Sequence, residues 1–211
     1  MKKEMQTKNK SEFYDEDYLK GNKIAKMSLG GGAFKERWDN NGAFYNTAIV
    51  VSKIMQNEKL DSVLDVGCGR GWVVRHLLNL GYKAEGCEYG EFAVKNSVCN
   101  SVYGDLCKTL PYEYNSFDVI TCQGVLSHLP ERYLKNAIEE LYRITKNVLI
   151  TNILIQEHTD QWYHLIIEKP DYWKPIFNEA GFIEDKELTK KIREENKFNV
   201  NEQWFCIWRK K

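Results

Sequence analysis

The sequence predicts an α/β domain: a doubly wound sheet with helices on both faces, preceded by a short helix and a flexible hinge. Three observations carry that expectation. Short apolar runs alternate with helical patterns from residue 62 to residue 208. A glycine-rich turn, Gly67-Cys68-Gly69-Arg70-Gly71, directly follows the first apolar run. The length, 211 residues, suits one such domain with a small N-terminal addition. We therefore divide the chain into residues 1–42, a helical lid and hinge, and residues 43–211, the main domain.

The first ten residues are polar and read as frayed. In Glu12–Leu19 the spacing puts Tyr14 and Tyr18 on one helix face, and Lys20-Gly21-Asn22 stops that helix. Ser28–Ala33, with three consecutive glycines, is the hinge. A helix over Ala43–Glu58 aligns Phe44, Ala48, Val51 and Met55. Then come a strand at Ser62–Val66, a helix at Trp72–Leu80, a strand at Lys83–Glu88, a helix from Glu91, and short strands at Ser101–Tyr103 and Phe117–Thr121. Glu131–Thr145 repeats Leu134, Ala137, Ile138, Leu141 and Ile144 at helical spacing, and Asn147–Leu154 is apolar enough for a central parallel strand. A helix at Asp171–Ala180 ends at Gly181. Strands near Phe182–Leu188 and Gln203–Trp208 come last, joined by a polar connection.

Charge excludes some functions. Lys plus Arg and Asp plus Glu both number 30, whereas proteins that neutralise a nucleic-acid backbone carry a basic excess. The longest apolar runs fall far short of the ~20 residues a membrane span needs. The basic N-terminus is followed by no signal-like apolar stretch, so the expectation is a soluble cytoplasmic domain without nucleic-acid or membrane partners. The six cysteines form no CxxC pair and no zinc spacing, and read as reduced core thiols, with no metal. Residues 61–130 hold eight acids against five bases, which suits a cationic or hydroxyl-rich ligand better than a polyphosphate. Residues 186–211 hold eight bases against four acids, read as solubilising charge around an edge strand.

The densest signal is Val63-Leu64-Asp65-Val66-Gly67-Cys68-Gly69-Arg70-Gly71. Glycines let a ligand approach the backbone. The carboxylate of Asp65, two residues ahead of Gly67, repels a pyrophosphate and attracts an ammonium group. Trp72 stands where a dinucleotide fingerprint wants Gly or Ala. Glu88 ends the second strand, where an acid accepts both ribose hydroxyls. Asp105, after the third strand, can accept from an exocyclic adenine amine, with Leu106 beside it for the ring. Each acid alone also reads as a solvated strand-end carboxylate, but three in register describe an adenosine with an amino-acid tail.

These segments resemble the class I S-adenosylmethionine (SAM)-dependent methyltransferases, small-molecule branch, over about Leu60–Leu154. VLDVGCGRG looks like the family's first motif, GCEYGEFAV like its second-strand acid motif, and YGDL and FDVITCQGVLSHLP like its adenine and fourth-strand motifs. The resemblance implies a Rossmann-like sheet of seven strands with the last antiparallel, SAM as cofactor and S-adenosylhomocysteine (SAH) as product. It assigns the loop of Gly67, Cys68 and Gly69, with Asp65, to the methionine part, Glu88 and neighbouring Tyr89 to the ribose side, Asp105 and Leu106 to adenine, and Gln123 to the methionine portion. FYDEDYL looks like a family segment that folds over the cofactor, which would bring Tyr14 or Tyr18 to its methionine end. Simple packing of an N-terminal helix is the alternative for these tyrosines.

The segment after the fourth strand narrows the acceptor. Gln123-Gly124-Val125-Leu126 replaces the Asn/Asp-Pro-Pro-Tyr type segment of relatives that methylate planar amines, so a small molecule is expected. His128 is the candidate general base or acceptor-orienting group, with packing under the cofactor as its alternative. His158 and Trp162, after the fifth strand, and Arg37 and Trp38, after the hinge, are candidate acceptor contacts. The expectation is O-methylation of a sugar-derived or phosphorylated metabolite, as in surface-polysaccharide modification. The alternatives are N-methylation of an aminosugar or amino acid, and a non-catalytic SAM-binding subunit.

Overall fold

In the computed structural model, which describes Tyr14, Asp17 and residues 42–156, 164–196 and 203–211, seven strands form one sheet in the order β3-β2-β1-β4-β5-β7-β6. They are β1 (Ser62–Val66), β2 (Lys83–Glu88), β3 (Ser101–Tyr103), β4 (Phe117–Gln123), β5 (Thr145–Leu154), β6 (Phe182–Glu184) and β7 (Gln203–Lys210). β1 pairs parallel with β2, β2 with β3 and β4 with β5, whereas β7 runs antiparallel to both β5 and β6. The expected seven-stranded mixed sheet with an antiparallel last strand is present. The chain divides into two compact units at Asp105/Leu106, the first holding β1–β3 and the second β4–β7. The expected boundary at residue 42 adjoins residues 18–41, which lie outside the described residues.

In the first unit, helix α1 (Gly42–Glu58) buries Ala48, Val51 and Met55 completely, on the stripe their spacing foretold. Helix α2 (Trp72–Asn79) starts at Gly71, whose φ of 81° is open to glycine at little cost, and buries Val73, Val74 and Leu77. Helix α3 (Glu91–Lys95) comes after β2 with only a single turn between them.

In the second unit, a 3-10 turn (Leu126–His128) comes after β4. Helix α4 (Glu131–Ile144) buries Leu134, Ala137, Ile138, Leu141 and Ile144. Helix α5 (Pro170–Ala180) begins with proline at its first position and ends at Gly181 with φ 107°. Its Phe177 ring stacks on Trp208 of β7 at 4.2 Å, and the Trp208 indole N–H donates to Thr151 Oγ1 of β5 at 3.0 Å. Both rings are fully buried, so the polar handle of Trp208 is satisfied inside the core.

Two expectations change. The polar connection between β6 and β7 holds helix α6 (Lys186–Asn196), which buries only Thr189 and Ile192, too thin a stripe to read against its charges. Asp185 starts it, accepting the Leu188 N–H at 3.0 Å. The basic C-terminal segment does not surround an edge strand, because β7 lies between β5 and β6. Its charges are used: Arg209 pairs with Asp185 at 2.8 Å, and Lys210 Nζ donates to Asn115 Oδ1, Tyr142 O and Thr145 O at 2.6–2.8 Å. Cys68, Cys87, Cys122 and Cys206 are buried.

Candidate functional site

In the first unit the glycine turn leaves β1 with Gly67 and Gly69 at φ 76° and 55°. The Gly67 and Cys68 amides both donate to Cys87 O of β2, at 2.7 and 3.2 Å, which holds the turn against the end of that strand. A Cβ placed on Gly69 would meet nothing within 4 Å, so the turn has an open cradle there. The Cys68 thiol instead packs inward, 3.6 Å from Ser101 Oγ.

Glu88 closes this cradle. Its carboxylate accepts the Gly69 N–H at 2.8 Å and the Gly90 N–H at 2.7 Å, while its carbonyl accepts the Gly104 N–H at 3.0 Å, just ahead of Asp105. Burial raises the Glu88 carboxyl above the usual range, against the lowering by those amide bonds. Asp65 is 6% exposed and its carboxyl is pushed up to about 8, first by burial and then by the negative charge of Glu88. Asp105 is also buried. Ionising Asp65 in this buried place beside the Glu88 charge is unfavourable alone and is favoured by a positively charged ligand.

Tyr14 belongs to the same neighbourhood. Its ring lies 6.2 Å from that of Tyr89, edge to face, and its Cβ and carbonyl oxygen stand 3.1 Å from where a Cβ on Gly90 would be. Tyr89 in turn lies 6.1 Å from Tyr103.

In the second unit, Leu106 is buried and Gln123 ends β4 with its Nε2 donating to Thr121 Oγ1 at 2.8 Å. His128 closes the 3-10 turn after β4, and its ring meets that of His164 at 4.4 Å. The Leu165 and Ile166 amides donate to Ser127 O at 2.6 and 3.1 Å, which locks the segment after β5 to the turn after β4. Tyr18, Arg37, Trp38, His158 and Trp162 lie outside the described residues.

The pairing of His164 with His128, and the carboxamides of Asn152 and Gln203 near the same strand ends, went unassigned from sequence. A signal existed for one of them: Asn152 interrupts an otherwise apolar strand end, Val148-Leu149-Ile150-Thr151-Asn152-Ile153-Leu154.

A family model described as a methyltransferase domain matches residues 64–148, from β1 into β5. A curated protein of Haemophilus influenzae is 28% identical over 146 residues, an alignment covering 57% of this chain and 57% of that protein. The chain thus spans little more than half of that relative's length. Among solved structures, a TehB-like SAM-dependent methyltransferase from Corynebacterium glutamicum is similar with a TM-score of 0.65 at 17% identity, over 85% of this chain and 97% of that one. A putative sarcosine dimethylglycine methyltransferase from Galdieria sulphuraria gives 0.58 at 15% identity, over 76% and 82%. These likenesses show the fold, and the family model covers the segments that carry the glycine turn and the strand-end acids. Among the described residues no helix is long and apolar enough to cross a membrane. Sheet order and structural relatives agree on the fold of the class I S-adenosylmethionine-dependent methyltransferases, and residues 64–148 are similar to a methyltransferase domain.

Proposed function

We propose that this protein transfers the methyl group of SAM to an oxygen of a small, sugar-derived metabolite. The observation that carries the donor half is the Asp65–Glu88 pair beside the open glycine turn. Both carboxyls are raised by burial, and Asp65 further by the Glu88 charge. Such a pair fits a ligand whose ammonium and sulfonium are cationic and whose ribose donates two hydroxyl bonds. In this reading Asp65 and the Gly67, Cys68 and Gly69 backbone take the amino-acid end. Glu88 accepts the ribose hydroxyls with the oxygen lone pairs left over from Gly69 and Gly90. Tyr89 flanks the ribose, Asp105 and Leu106 take the adenine, Gln123 lies at the methionine portion, and Tyr14 covers the cradle. Tyr18, Arg37, Trp38, His158 and Trp162 keep their expected roles as lid and acceptor contacts.

The bound donor supplies an already activated methyl group, so the chain's task is orientation and exclusion of water. His128 accepts or steers the proton of a neutral hydroxyl, with His164 setting the tilt of its ring. An N-methyltransferase on an aminosugar or amino acid needs a similar proton acceptor and is separated from O-transfer by product analysis.

Calorimetry with SAH on the wild type and on Glu88→Ala tests the donor site. Losing a charged acceptor of two hydroxyl bonds is expected to weaken binding by about 1.5–3 kcal/mol or more. Unchanged affinity in a folded Glu88→Ala chain would remove the ribose assignment. Incubation with SAM and a panel of hydroxylated metabolites, read by mass shift, tests the transfer. SAM that is bound but never consumed by any acceptor would favour a binding subunit instead.

A further inference from the structure

The carboxyl ends of β4 and β5 carry a row of three carboxamides. Gln123 of β4 is in register with Asn152 of β5, so in this parallel pair the two side chains stand on one face. Across the antiparallel pair Asn152 faces Phe205, and Gln203, two residues from Phe205, shares that face. The side chains agree with the register, since Asn152 Nδ2 donates to Gln203 Oε1 at 3.0 Å. Asn152 Oδ1 is buried and accepts no hydrogen bond among the described residues. Ser127 Oγ, in the turn after β4, is likewise buried and makes none.

A buried amide oxygen left unsatisfied is costly, so a place like this is favoured where a ligand satisfies it with an O–H or N–H donor. The chemistry around the row is neutral. Residues 121–128, 150–156, 164–167 and 203–206 contain no Asp, Glu, Lys or Arg. Lys174, 6.0 Å over the Trp204 ring, belongs to the opposite face, because Trp204 alternates with Gln203. A phosphate or carboxylate would find no Lys or Arg in these segments, only the His128–His164 pair, whereas a neutral polyol or acetamido group finds matched donors and acceptors along the carboxamide row.

Resting on the methyl-transfer reading above, we propose that Asn152 and Gln203, beside Gln123, form an acceptor subsite for an uncharged, hydroxyl- or acetamido-bearing sugar rather than a phosphorylated one. Asn152 Oδ1 accepts from a ligand hydroxyl or amide, and Gln203 holds the Asn152 carboxamide in the orientation that presents it.

The test uses the full chain loaded with SAH and ligand-observed saturation-transfer NMR. The probes are methyl hexosides, their acetamido counterparts and the matching hexose phosphates. Neutral probes are expected to bind the wild type, and to bind Asn152→Leu about tenfold more weakly or worse, as fits the loss of one buried hydrogen bond. Asn152→Asp keeps an acceptor oxygen in place, and Gln203 can turn its amide to donate to it, so binding there should stay within about threefold of wild type. A merely structural role for Asn152 predicts equal losses in both variants and would overturn the proposal. So would phosphates binding as tightly as their neutral partners, or no neutral probe binding the SAH-loaded chain. If Asn152→Leu fails to fold, Gln203→Ala, at a partly exposed position, carries the same expectation of weakened neutral probes. SAH affinity should be unchanged in all three variants. A wild type that fails to bind SAH would instead sink the methyl-transfer reading.

Discussion

Replacing Asp65 by Asn removes a carboxyl that the fold holds at about 8, against an ordinary value of 3.8. Proton counting sets the sign. Below pH 3.8 both folded and unfolded chains hold the proton, and the carboxyl contributes nothing to the pH dependence. Between 3.8 and about 8 the unfolded chain has released it while the folded chain keeps it, so rising pH favours unfolding by about 1.4 kcal/mol for each pH unit. By neutral pH, about three units above 3.8, the ceiling is about 4 kcal/mol of lost stability. Local relaxation and entering water will reduce it. Asn has nothing to titrate, so this contribution to the pH dependence disappears. We therefore expect ligand-free Asp65→Asn to gain on the wild type as pH rises, by up to about 1.4 kcal/mol per unit between about pH 5 and 8. Denaturant unfolding of both chains across that range measures it, and taking the difference cancels the other titrating groups. The same substitution should weaken SAM binding, because the carboxylate that would meet the cation is gone. Parallel stability profiles for the two chains would refute the reasoning, since they would mean that Asp65 titrates as it does in water.

Gly71→Ala should destabilise by about 2–4 kcal/mol, because φ 81° resists a side chain and its Cβ would collide with Cys99 Sγ; a double variant with Cys99→Ala should recover part of the loss, read by thermal unfolding. Thr151→Val should cost about 1–3 kcal/mol by leaving the buried Trp208 N–H without its acceptor, with SAH affinity unchanged in calorimetry. Once an acceptor is identified, His128→Ala should lower turnover by roughly 10²–10⁴-fold at constant SAH affinity, whereas a fall in melting temperature with intact kinetics would make His128 a packing residue.

The local features of this chain were legible because they depend on residues close in sequence. The helical stripe of Ala48, Val51 and Met55 and the left-handed glycines of the turn after β1 arise from short-range geometry that composition reveals. The three acids could be placed because each lies within, ends or closely succeeds an apolar strand. Helix α6 was hidden because its burial rests on two side chains, and a thin stripe is indistinguishable from a polar loop until β7 covers it. The position of β7 was likewise invisible as an interior location: its basic end reads as solvated until Arg209 meets Asp185 and Lys210 meets three oxygens. Pairings across long stretches of chain were decided only by tertiary structure. Asn152 and Gln203 are 51 residues apart, and nothing local sets the β5–β7 register that joins them. Register comes from the packing of whole apolar faces, here the Trp208 and Phe177 core, and a slip of β7 by one residue would have sent Gln203 to the side of the sheet opposite Asn152.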